Sequence, residues 1–552
     1  MKRAVVVGLA CMLAMSGASA ALAQEEDTTP EPVVRMGDWV EIGDDLFVNF
    51  IITNTMEYQT TTNYDFEGDI QDGTATTDCQ SSACYAGQGD HFWNEGRIGF
   101  DVRYKKNLTA QLLYETQAVY DGSVIDDAAT NTVHVERFWI DYDFENTPFR
   151  LRVGAWLYQP DIGGTRTDDD PGLHLFAEFG NFEFKFGAII EQESSLAFDG
   201  RPESDPSVPN RLTNDNDNIH YEFLINYESK PHSFCLCVFW DRDRMETGKG
   251  QTEMDYVQVM PGWEGSFGPI QAVAQGMIGF GKAKDAGFDN IIDPAARPTR
   301  DELDIFTWGL LAGAEFDLGV VRPVVGAIIG SGDDDPNDAD LNGYSPATTD
   351  ESGQNIGSQI GFDVAGTGWS VTGDSRLDPP AQAPIAGSRG SGFKGSDQTF
   401  LVRLGWNAHR DLQGGTSENA AWTSNPFSNP GTLKVVAGVK VLPMEAHEVN
   451  VWYVYTAMLE PDLLNRASEG GLPQYREAIT GNAIDFSRSL FHEIGAEWTW
   501  SLNKHFQIGP RGFVVIPNQG AQDIASTVAC GNQPCKGEDI ALMGAVQLRA
   551  NF

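Results

Sequence analysis

The sequence predicts an all-β protein, namely a transmembrane antiparallel β-barrel of about eighteen strands with short periplasmic turns and long extracellular loops. Three observations support this prediction. Apolar and polar residues alternate through segments of about 9 to 15 residues, the length that a tilted membrane strand needs. Short turns and long polar connections join these segments alternately. The chain also ends on the strand-like segment Val546-Gln-Leu-Arg-Ala-Asn-Phe552, whose C-terminal phenylalanine is typical of outer-membrane barrels.

The N-terminus predicts export from the cytoplasm. Lys2 and Arg3 precede an apolar run and two Ala-x-Ala sites, so residues 1–23 are predicted to be a cleaved signal peptide. We expect an acidic periplasmic extension over residues 24–45 and the barrel over residues 46–552. No later stretch has the roughly 18 consecutive apolar residues of a spanning helix, but a closed barrel satisfies its backbone polar groups without one.

The composition agrees with a barrel and excludes one class of partner. The chain has 552 residues, 59 glycines and 11% aromatic residues, which favours strands joined by many turns. Its net charge of −42 argues against nucleic acid as a partner, because phosphate backbones are bound by clustered lysine and arginine. Acidic runs such as Asp333-Asp334-Asp335 fall between predicted strands, where water solvates them.

Alternating segments come in pairs along the chain. Eight short turns are predicted, at residues 105–107, 145–148, 180–181, 228–231, 262–269, 317–319, 443–447 and 503–505. Nine longer polar connections are predicted near residues 60–90, 122–131, 160–171, 194–217, 243–252, 284–302, 335–430, 460–487 and 519–537. This alternation requires an even number of strands, with both termini on the short-turn side. A β-sandwich also alternates, but it has no reason to place every long loop at one end.

The connection over residues 335–430 is too long to be a structureless loop in a compact domain. Phe400 to Trp406 alternates and is a candidate strand within it. An even strand number favours folding this segment inward, as a constriction, or over the mouth of the barrel.

Period-two alternation assigns each strand an apolar lipid face and a polar lumen face. The predicted pore-lining residues are Arg97, Asp101, Arg103, Glu115, Arg137, Arg150, Arg152, Glu183, Lys185, Glu222, Glu493 and Glu497. The five arginines form a predicted cluster, and rings of charged side chains decide which ions pass. The alternative is that interior charges neutralise one another and hold water.

Six cysteines remain after signal cleavage. Two closely spaced pairs are predicted to close disulfide loops, as expected for an exported chain: Cys79 with Cys84, and Cys530 with Cys535. Cys235 and Cys237 alternate on one strand face, where a bridge between them would be strained. We expect two thiols that face the barrel interior.

Five segments carry a resemblance to a known family. They are Glu95-Gly-Arg-Ile-Gly-Phe-Asp-Val-Arg-Tyr104, Asn107-Leu-Thr-Ala-Gln-Leu112, Val135-Glu-Arg-Phe-Trp-Ile-Asp-Tyr142, Phe149-Arg-Leu-Arg-Val-Gly154 and the acidic stretch from Gly330 to Gly343. Together they resemble Gram-negative porins related to the alginate-export family. The resemblance implies an outer-membrane barrel that passes small or anionic solutes, contacts with outer-membrane lipid and lipopolysaccharide, and a homotrimer as a candidate assembly. The acidity of this chain departs from a polyanion exporter, so alginate is not carried over as a substrate.

The acidic stretch also suggests a cofactor. Asp338-Ala-Asp340-Leu-Asn342-Gly343 matches the opening of a calcium-binding loop, in which oxygen ligands alternate before a glycine. Thr349 stands where the closing glutamate is expected. Ca²⁺ is therefore a candidate ligand, the alternative is a plain solvated loop, and no other cofactor is predicted.

The predicted function is that of an outer-membrane porin, a passive diffusion channel for small hydrophilic solutes or ions. None of the nine histidines lies in a recognisable hydrolase motif, so no enzymatic activity is predicted. One alternative is a dedicated export conduit for an anionic polysaccharide, which needs a continuous basic track. The other is a structural or adhesive surface barrel with a blocked lumen.

Overall fold

The computed structural model describes residues 39–42, 45–62, 88–121, 131–156, 171–192, 218–243, 246–247, 250–251, 253–284, 302–332, 334, 340–342, 431–444, 446–470, 476–503, 505–526, 529–530, 533–534, 536, 538 and 540–551. The predicted signal peptide, Phe400 to Trp406 and residues 343–430 lie outside these ranges. Within the ranges, no helix has the length and apolar character needed to cross a bilayer.

Eighteen antiparallel strands in the described part of the chain form one closed wall. They are β1 (Leu46–Thr62), β2 (Gln88–Tyr104), β3 (Leu108–Asp121), β4 (Asn131–Asp143), β5 (Phe149–Ala155), β6 (Pro171–Phe179), β7 (Phe182–Gln192), β8 (Asn218–Ser229), β9 (His232–Asp243), β10 (Glu253–Phe267), β11 (Ile270–Lys284), β12 (Glu302–Phe316), β13 (Val321–Gly330), β14 (Thr432–Met444), β15 (His447–Met458), β16 (Ser489–Asn503), β17 (Phe506–Pro517) and β18 (Ala541–Asn551). The last strand pairs with the first, from Thr53 opposite Asn551 to Thr62 opposite Leu542. The predicted fold class is confirmed.

Short and long connections alternate around the wall as predicted. Four of the turns are shorter than the sequence pattern indicated, those predicted at 228–231, 262–269, 443–447 and 503–505. β10 continues through Gly262 to Phe267, because its register with β11 is the same before and after Pro261, which has no N–H to give to the ladder. At the tight turns, Gly180 and Gly268 have φ of 63° and 61°, a left-handed conformation that glycine adopts without strain.

Part of the predicted N-terminal extension is ordered against the wall. Val40–Ile42 is a short strand that pairs antiparallel with the start of β1, with Val40 opposite Val48. The neighbouring Trp39 ring lies 4.6 Å from the guanidinium carbon of Arg103. The extension therefore lies beside the short-turn end of β2.

The outer face of the wall is a belt of exposed apolar side chains. Ile98, Phe138, Phe186 and Phe306 are between 52% and 56% exposed, which agrees with the apolar outer face that the alternation predicted. A water-soluble surface rarely exposes a contiguous apolar area of this extent. At the short-turn end, Trp498 and Trp500 stack beside His447, as aromatic residues do at a membrane interface. The wall therefore spans a bilayer.

On the inner face, bulky side chains lie flat against glycines of the next strand. Trp452 of β15 stands opposite Gly438 on one side and Gly495 on the other, and its indole Nε1 donates a 2.7 Å hydrogen bond to Glu493. The Tyr256 phenol crosses Gly279 and shares a 2.5 Å hydrogen bond with Thr307. These side chains pack along the wall instead of extending into the lumen.

The connections after β15 and after β17 contain two short helices that form a cap at the long-loop end. They are α1 (Asp462–Glu469) and α2 (Gln519–Ala525). Leu463 and Leu464 of α1 and Ile524 of α2 are fully buried. Arg466 of α1 approaches Asp334, which follows β13, at 3.9 Å. The sequence pattern predicted polar loops here and missed the cap.

We predict that Gly495→Ala destabilises the barrel by about 1–3 kcal/mol, the usual cost of overpacking, because a methyl group there would overlap with the Trp452 indole ring. Equilibrium unfolding in urea, monitored in lipid vesicles, measures the change. Gly509→Ala is the matched control, since a methyl group at Gly509 meets its neighbours at ordinary contact distances of 3.5–3.7 Å. Equal stability of the two variants would contradict the packing described for Trp452.

Candidate functional site

The inner face of β2 to β8 carries a dense set of charged side chains, which we call the charged sector. It comprises Arg97, Asp101, Arg103, Glu115, Arg137, Asp141, Arg150, Arg152, Glu183, Lys185 and Glu222. The residues that alternate with them, such as Ile98 and Phe138, are exposed on the outer face. The structure therefore brings most of the predicted pore-lining residues to one side of the lumen.

Asp141 joins two of the predicted arginines. Its Oδ2 accepts a hydrogen bond from Arg150 Nη1 at 2.8 Å and from Arg152 Nε and Nη2 at 2.9 and 2.7 Å. The carboxylate is buried, whereas the side chains of Arg150 and Arg152 are 22% and 24% exposed. Both guanidinium groups therefore line the lumen above the acid that binds them.

Aromatic rings fix the orientation of these guanidinium groups. Arg150 lies 3.8 Å above the centre of the Phe176 ring, and Arg152 lies 4.5 Å from that of Trp139. The indole Nε1 of Trp139 in turn donates a hydrogen bond to Gln111 at 3.0 Å. Stacking of this kind attracts a cation to the ring face and restricts its movement.

Other charged side chains of the sector also have ion-pair or hydrogen-bond partners. Arg97 forms a 2.8 Å ion pair with Glu115, and Asp101 accepts a 2.8 Å hydrogen bond from Gln111. Glu183 accepts a 3.0 Å hydrogen bond from Asn226. The predicted arginine cluster is therefore interleaved with acids across neighbouring strands, which favours the interpretation that interior charges neutralise one another.

Glu222 lies at the centre of a buried polar cluster. Lys185 Nζ approaches its Oε1 at 2.7 Å, and the His174 ring contacts the same oxygen. The strand register places Glu222 and His174 on either side of Gly187, which has no side chain to separate them. The cluster is almost inaccessible to solvent, so it stabilises the wall and does not bind solutes directly.

The two remaining predicted pore-lining residues lie on β16. Glu493 is fully buried and accepts the Trp452 hydrogen bond. Glu497 is partly exposed and accepts a 3.3 Å hydrogen bond from Thr499 of the same strand. In the sequence, β16 is far from β2, β4 and β5, the strands that carry the five predicted arginines.

A second charged group was missed by the sequence interpretation. Glu315 of β12 contacts Arg322 of β13 at 3.3 Å and Lys440 of β14 at 3.5 Å. Arg322 also approaches Asp317 in the intervening turn at 3.4 Å. The sequence could have predicted this group, because the alternation of β12 and β13 assigns Glu315 and Arg322 to the inner face on the two sides of one turn.

Between these groups lies an inner surface whose buried side chains carry no formal charge, which we call the neutral sector; Glu264, opposite Val273, borders it. It consists of Leu224, Cys235, Cys237, Phe239, Tyr256, Gln258, Met260, Val273, Gln275, Met277, Ile305, Thr307, Leu311 and Val324, all buried. Outward residues on the same strands, such as Phe234, Ile278 and Trp308, are exposed to lipid. The wall therefore has a charged side and a neutral side. The prediction of pore-lining residues concerned only the charged inward residues and therefore did not include the neutral sector.

The cysteine and calcium predictions are only partly within the described residues. Cys235 and Cys237 are buried thiols on the inner face, as predicted. Cys530 lies in a two-residue strand opposite Gln533, whereas Cys79, Cys84 and Cys535 lie outside the described residues, so both disulfides stay predictions.

Part of the candidate calcium loop is ordered. Asp340 pairs with Asp304 in a parallel bridge beside β12, and the Asn342 carbonyl accepts a 2.7 Å hydrogen bond from Ser331. Asp338 lies outside the described residues. Among those described, no three His, Cys, Asp or Glu side chains are grouped to hold a metal, and calcium binding stays a prediction.

The cap contributes one titratable group with a shifted pKa. Burial raises the pKa of the Asp523 carboxyl above its ordinary value of 3.8, and the charge of Asp485 adds to the shift. Hydrogen bonds from Gln519 and from the Ser487 backbone N–H act in the opposite direction. Asp523 thus joins α2 to the segment that precedes β16.

No family model matches the sequence, and no curated protein matches it. Solved structures of similar shape include OccK5 (OpdH) of Pseudomonas aeruginosa, with 10% identity, a TM-score of 0.45 and coverage of 92% of this chain and 98% of that one. OccAB2 of Acinetobacter baumannii has 9% identity, a TM-score of 0.44 and coverage of 91% and 98%. Outer-membrane expressed OmpT of Vibrio cholerae has 10% identity, a TM-score of 0.37 and coverage of 93% and 100%. The relation to the alginate-export group stays a prediction.

We predict that Lys185→Met lowers the free energy of unfolding by about 3–5 kcal/mol, because it leaves the buried Glu222 carboxylate without its cation. The double variant Lys185→Met/Glu222→Gln should recover most of this loss. Lys282→Met is the control, since its ion pair with Asp304 is more than half exposed and contributes less than about 1 kcal/mol. Urea unfolding in vesicles measures the free energy of unfolding of all three variants. If Lys185→Met were as stable as the parent protein, the described cluster would be contradicted.

We predict that the cap is more stable in acid. Because the folded pKa of Asp523 is raised, its contribution is fully present below pH 3.8, the ordinary aspartate value, and is lost as the pH rises through the folded pKa. Hydrogen exchange at α2 should therefore show faster opening at neutral than at acidic pH, after correction for intrinsic exchange. Asp523→Asn should remove this dependence, and Asp462→Asn in α1 should retain it. A pH-independent cap in the parent protein would refute this role.

Proposed function

We propose that this chain is an outer-membrane porin, a passive diffusion channel for small hydrophilic solutes or ions. One observation carries the proposal: a closed wall with an apolar outer face has ionised, hydrogen-bonded side chains on the inside of β2 to β8. Guanidinium and carboxylate groups remain charged only where water or a partner solvates them. An aqueous lumen explains why such groups lie inside a barrel whose outside faces lipid.

Transport through such a lumen involves no chemical step. Arg150 and Arg152 are partly exposed and fixed by Asp141 and by aromatic rings. They present hydrogen-bond donors that replace part of the hydration shell of a solute without holding it tightly. Solutes that leave as readily as they enter pass at high flux.

The bulky aromatic side chains of the inner face lie flat against the wall, which supports an open path for solutes through the lumen. Trp452 lies over Gly495 and Tyr256 over Gly279, so these large rings take up little of the lumen radius. An eighteen-stranded wall is of the size that, in porins, encloses an aqueous channel.

A conduit dedicated to an anionic polysaccharide is less well supported. Such a conduit needs a continuous track of basic groups, whereas Arg97, Arg150 and Arg152 each contact a carboxylate. The net charge of −42 would also repel a polyanion. Charge alternation along the wall suits small solutes that carry one or two charged groups.

We predict that replacing Arg97, Arg103, Arg137, Arg150 and Arg152 by glutamine makes the channel more cation-selective. The change leaves Glu115 and Asp141 without their partners, so the inner wall acquires net negative charge. Single-channel recording in a planar bilayer under a salt gradient should show the reversal potential moving toward the Nernst potential of the cation.

Two comparisons complete this experiment. Lys282→Gln, on the outer face, should leave the reversal potential unchanged. An unaltered reversal potential in the arginine variant would contradict the assignment of these residues to the conducting path. A refolded parent protein that conducts no current would instead favour the structural or adhesive barrel.

A further inference from the structure

Four sulfur-containing side chains meet on the inner face of three adjacent strands. Cys235 and Cys237 occupy alternate positions of β9, and Cys237 stands directly opposite Met260 of β10. The β10–β11 register, set by Val259 opposite Ile278, places Met277 beside Met260. All four belong to the neutral sector and are at most 7% exposed.

Strand geometry places the sulfur atoms of Cys235, Cys237 and Met260 within reach of one common point, whereas Met277 is one strand further away. Residues directly opposite on antiparallel strands have Cβ atoms about 4.5–5.5 Å apart, and alternate residues of one strand lie about 7 Å apart. Methionine has a flexible, unbranched side chain that adapts to such spacings. Gln275 Nε2 lies 3.8 Å from the Met260 sulfur, so this thioether is directed along the inner face.

The surroundings leave space, and the nearest carboxylates on this face, Glu222 and Glu264, stand opposite Phe239 and Ser233, one inward position beyond the two cysteines. Gly262 stands opposite Cys235 and Gly309 stands opposite Met277, so two positions beside the sulfur cluster have no side chain. On the other flank, Cys237 faces Leu224 of β8. Carboxylates, which hard cations prefer, are absent from these facing positions.

We propose that Cys235, Cys237 and Met260 form a binding site for a soft monovalent metal ion, with Cu(I) as the chemical type. Thiolate and thioether sulfur select Cu(I) over hard cations, which prefer oxygen ligands. Binding would displace the thiol protons, because thiolate is the ligand. A disulfide between the two cysteines is disfavoured by their alternation on one strand face. This site goes beyond passive diffusion, because it retains one ion on the channel wall.

The test is a Cu(I) titration of the refolded full-length barrel against a chromogenic Cu(I) chelator, with ascorbate as the reductant, because ascorbate keeps copper as Cu(I) without reducing disulfides. The parent protein should remove one Cu(I) per chain from the chelator. Cys235→Ser/Cys237→Ser should abolish this competition. Met260→Leu, which conserves side-chain volume, should weaken it by about ten- to hundredfold, the range over which supporting ligand interactions act.

Matched variants separate this site from other sulfur atoms of the chain. Replacing Cys79, Cys84, Cys530 and Cys535 by serine should leave Cu(I) binding intact, as should Met458→Leu on β15. Heat-modifiable migration in gels shows whether each variant is folded. If the cysteine variant does not fold, X-ray absorption at the copper edge identifies the ligand atoms in the parent protein. The proposal expects only sulfur ligands. A parent protein that does not compete, an unchanged cysteine variant, or an oxygen and nitrogen ligand shell would each overturn the proposal.

Discussion

The rest of the structure depends on the closure of the wall in lipid. A bilayer offers no hydrogen-bond partners to the backbone, so every N–H and C=O in the membrane must be paired within the protein. The pairing of β1 with β18 removes the two edges that an open sheet would expose. Closure in turn gives every strand one face toward lipid and one toward the interior, and this division determines where charge is tolerated.

Within the wall, a second constraint concerns side-chain volume. Charged, aromatic and sulfur-containing residues share the inner face, and many of them stand opposite glycine, as His174 does opposite Gly187 and Trp139 opposite Gly154. The missing side chain lets the larger residue lie along the sheet and reach a partner on the next strand. The same arrangement places Glu493 within hydrogen-bonding distance of Trp452. Ion pairs, stacked rings and an unobstructed interior are therefore consequences of one pattern.

The sequence predicted which side chains face the lumen far better than it predicted which of them contact one another. A period of two assigns Arg150, Arg152 and Glu222 to the interior without knowledge of the fold, because successive side chains of a strand must alternate. The pairing of Glu222 with Lys185 depends on the register between β7 and β8, and the long polar connection between them carries no signal for it.

Local structure outside the strands was harder to predict. The helices α1 and α2 were missed because helices of this length are marginal in isolation and form through tertiary contacts. Pro461 before α1 and Gly470 after it were the available start and stop signals. The neutral sector was missed because inward positions were examined for charge, whereas its members are apolar or uncharged.

The sharing of Asp141 between two arginines has a consequence for how far the wall acts. Asp141 offsets only one of the two arginine charges, but Arg150 also approaches Asp143 and Glu183 at 3.9 and 3.8 Å. Opposite charges this close together cancel rapidly with distance, and the Debye length at physiological ionic strength is about 8 Å. A small ion near the axis of the barrel is therefore scarcely influenced by the lining. A larger solute that contacts the wall interacts with each charge separately. The selectivity between solutes therefore increases with their size and with their contact with the wall. For this reason, the ion selectivity of the current is a poor guide to which larger solutes the channel favours.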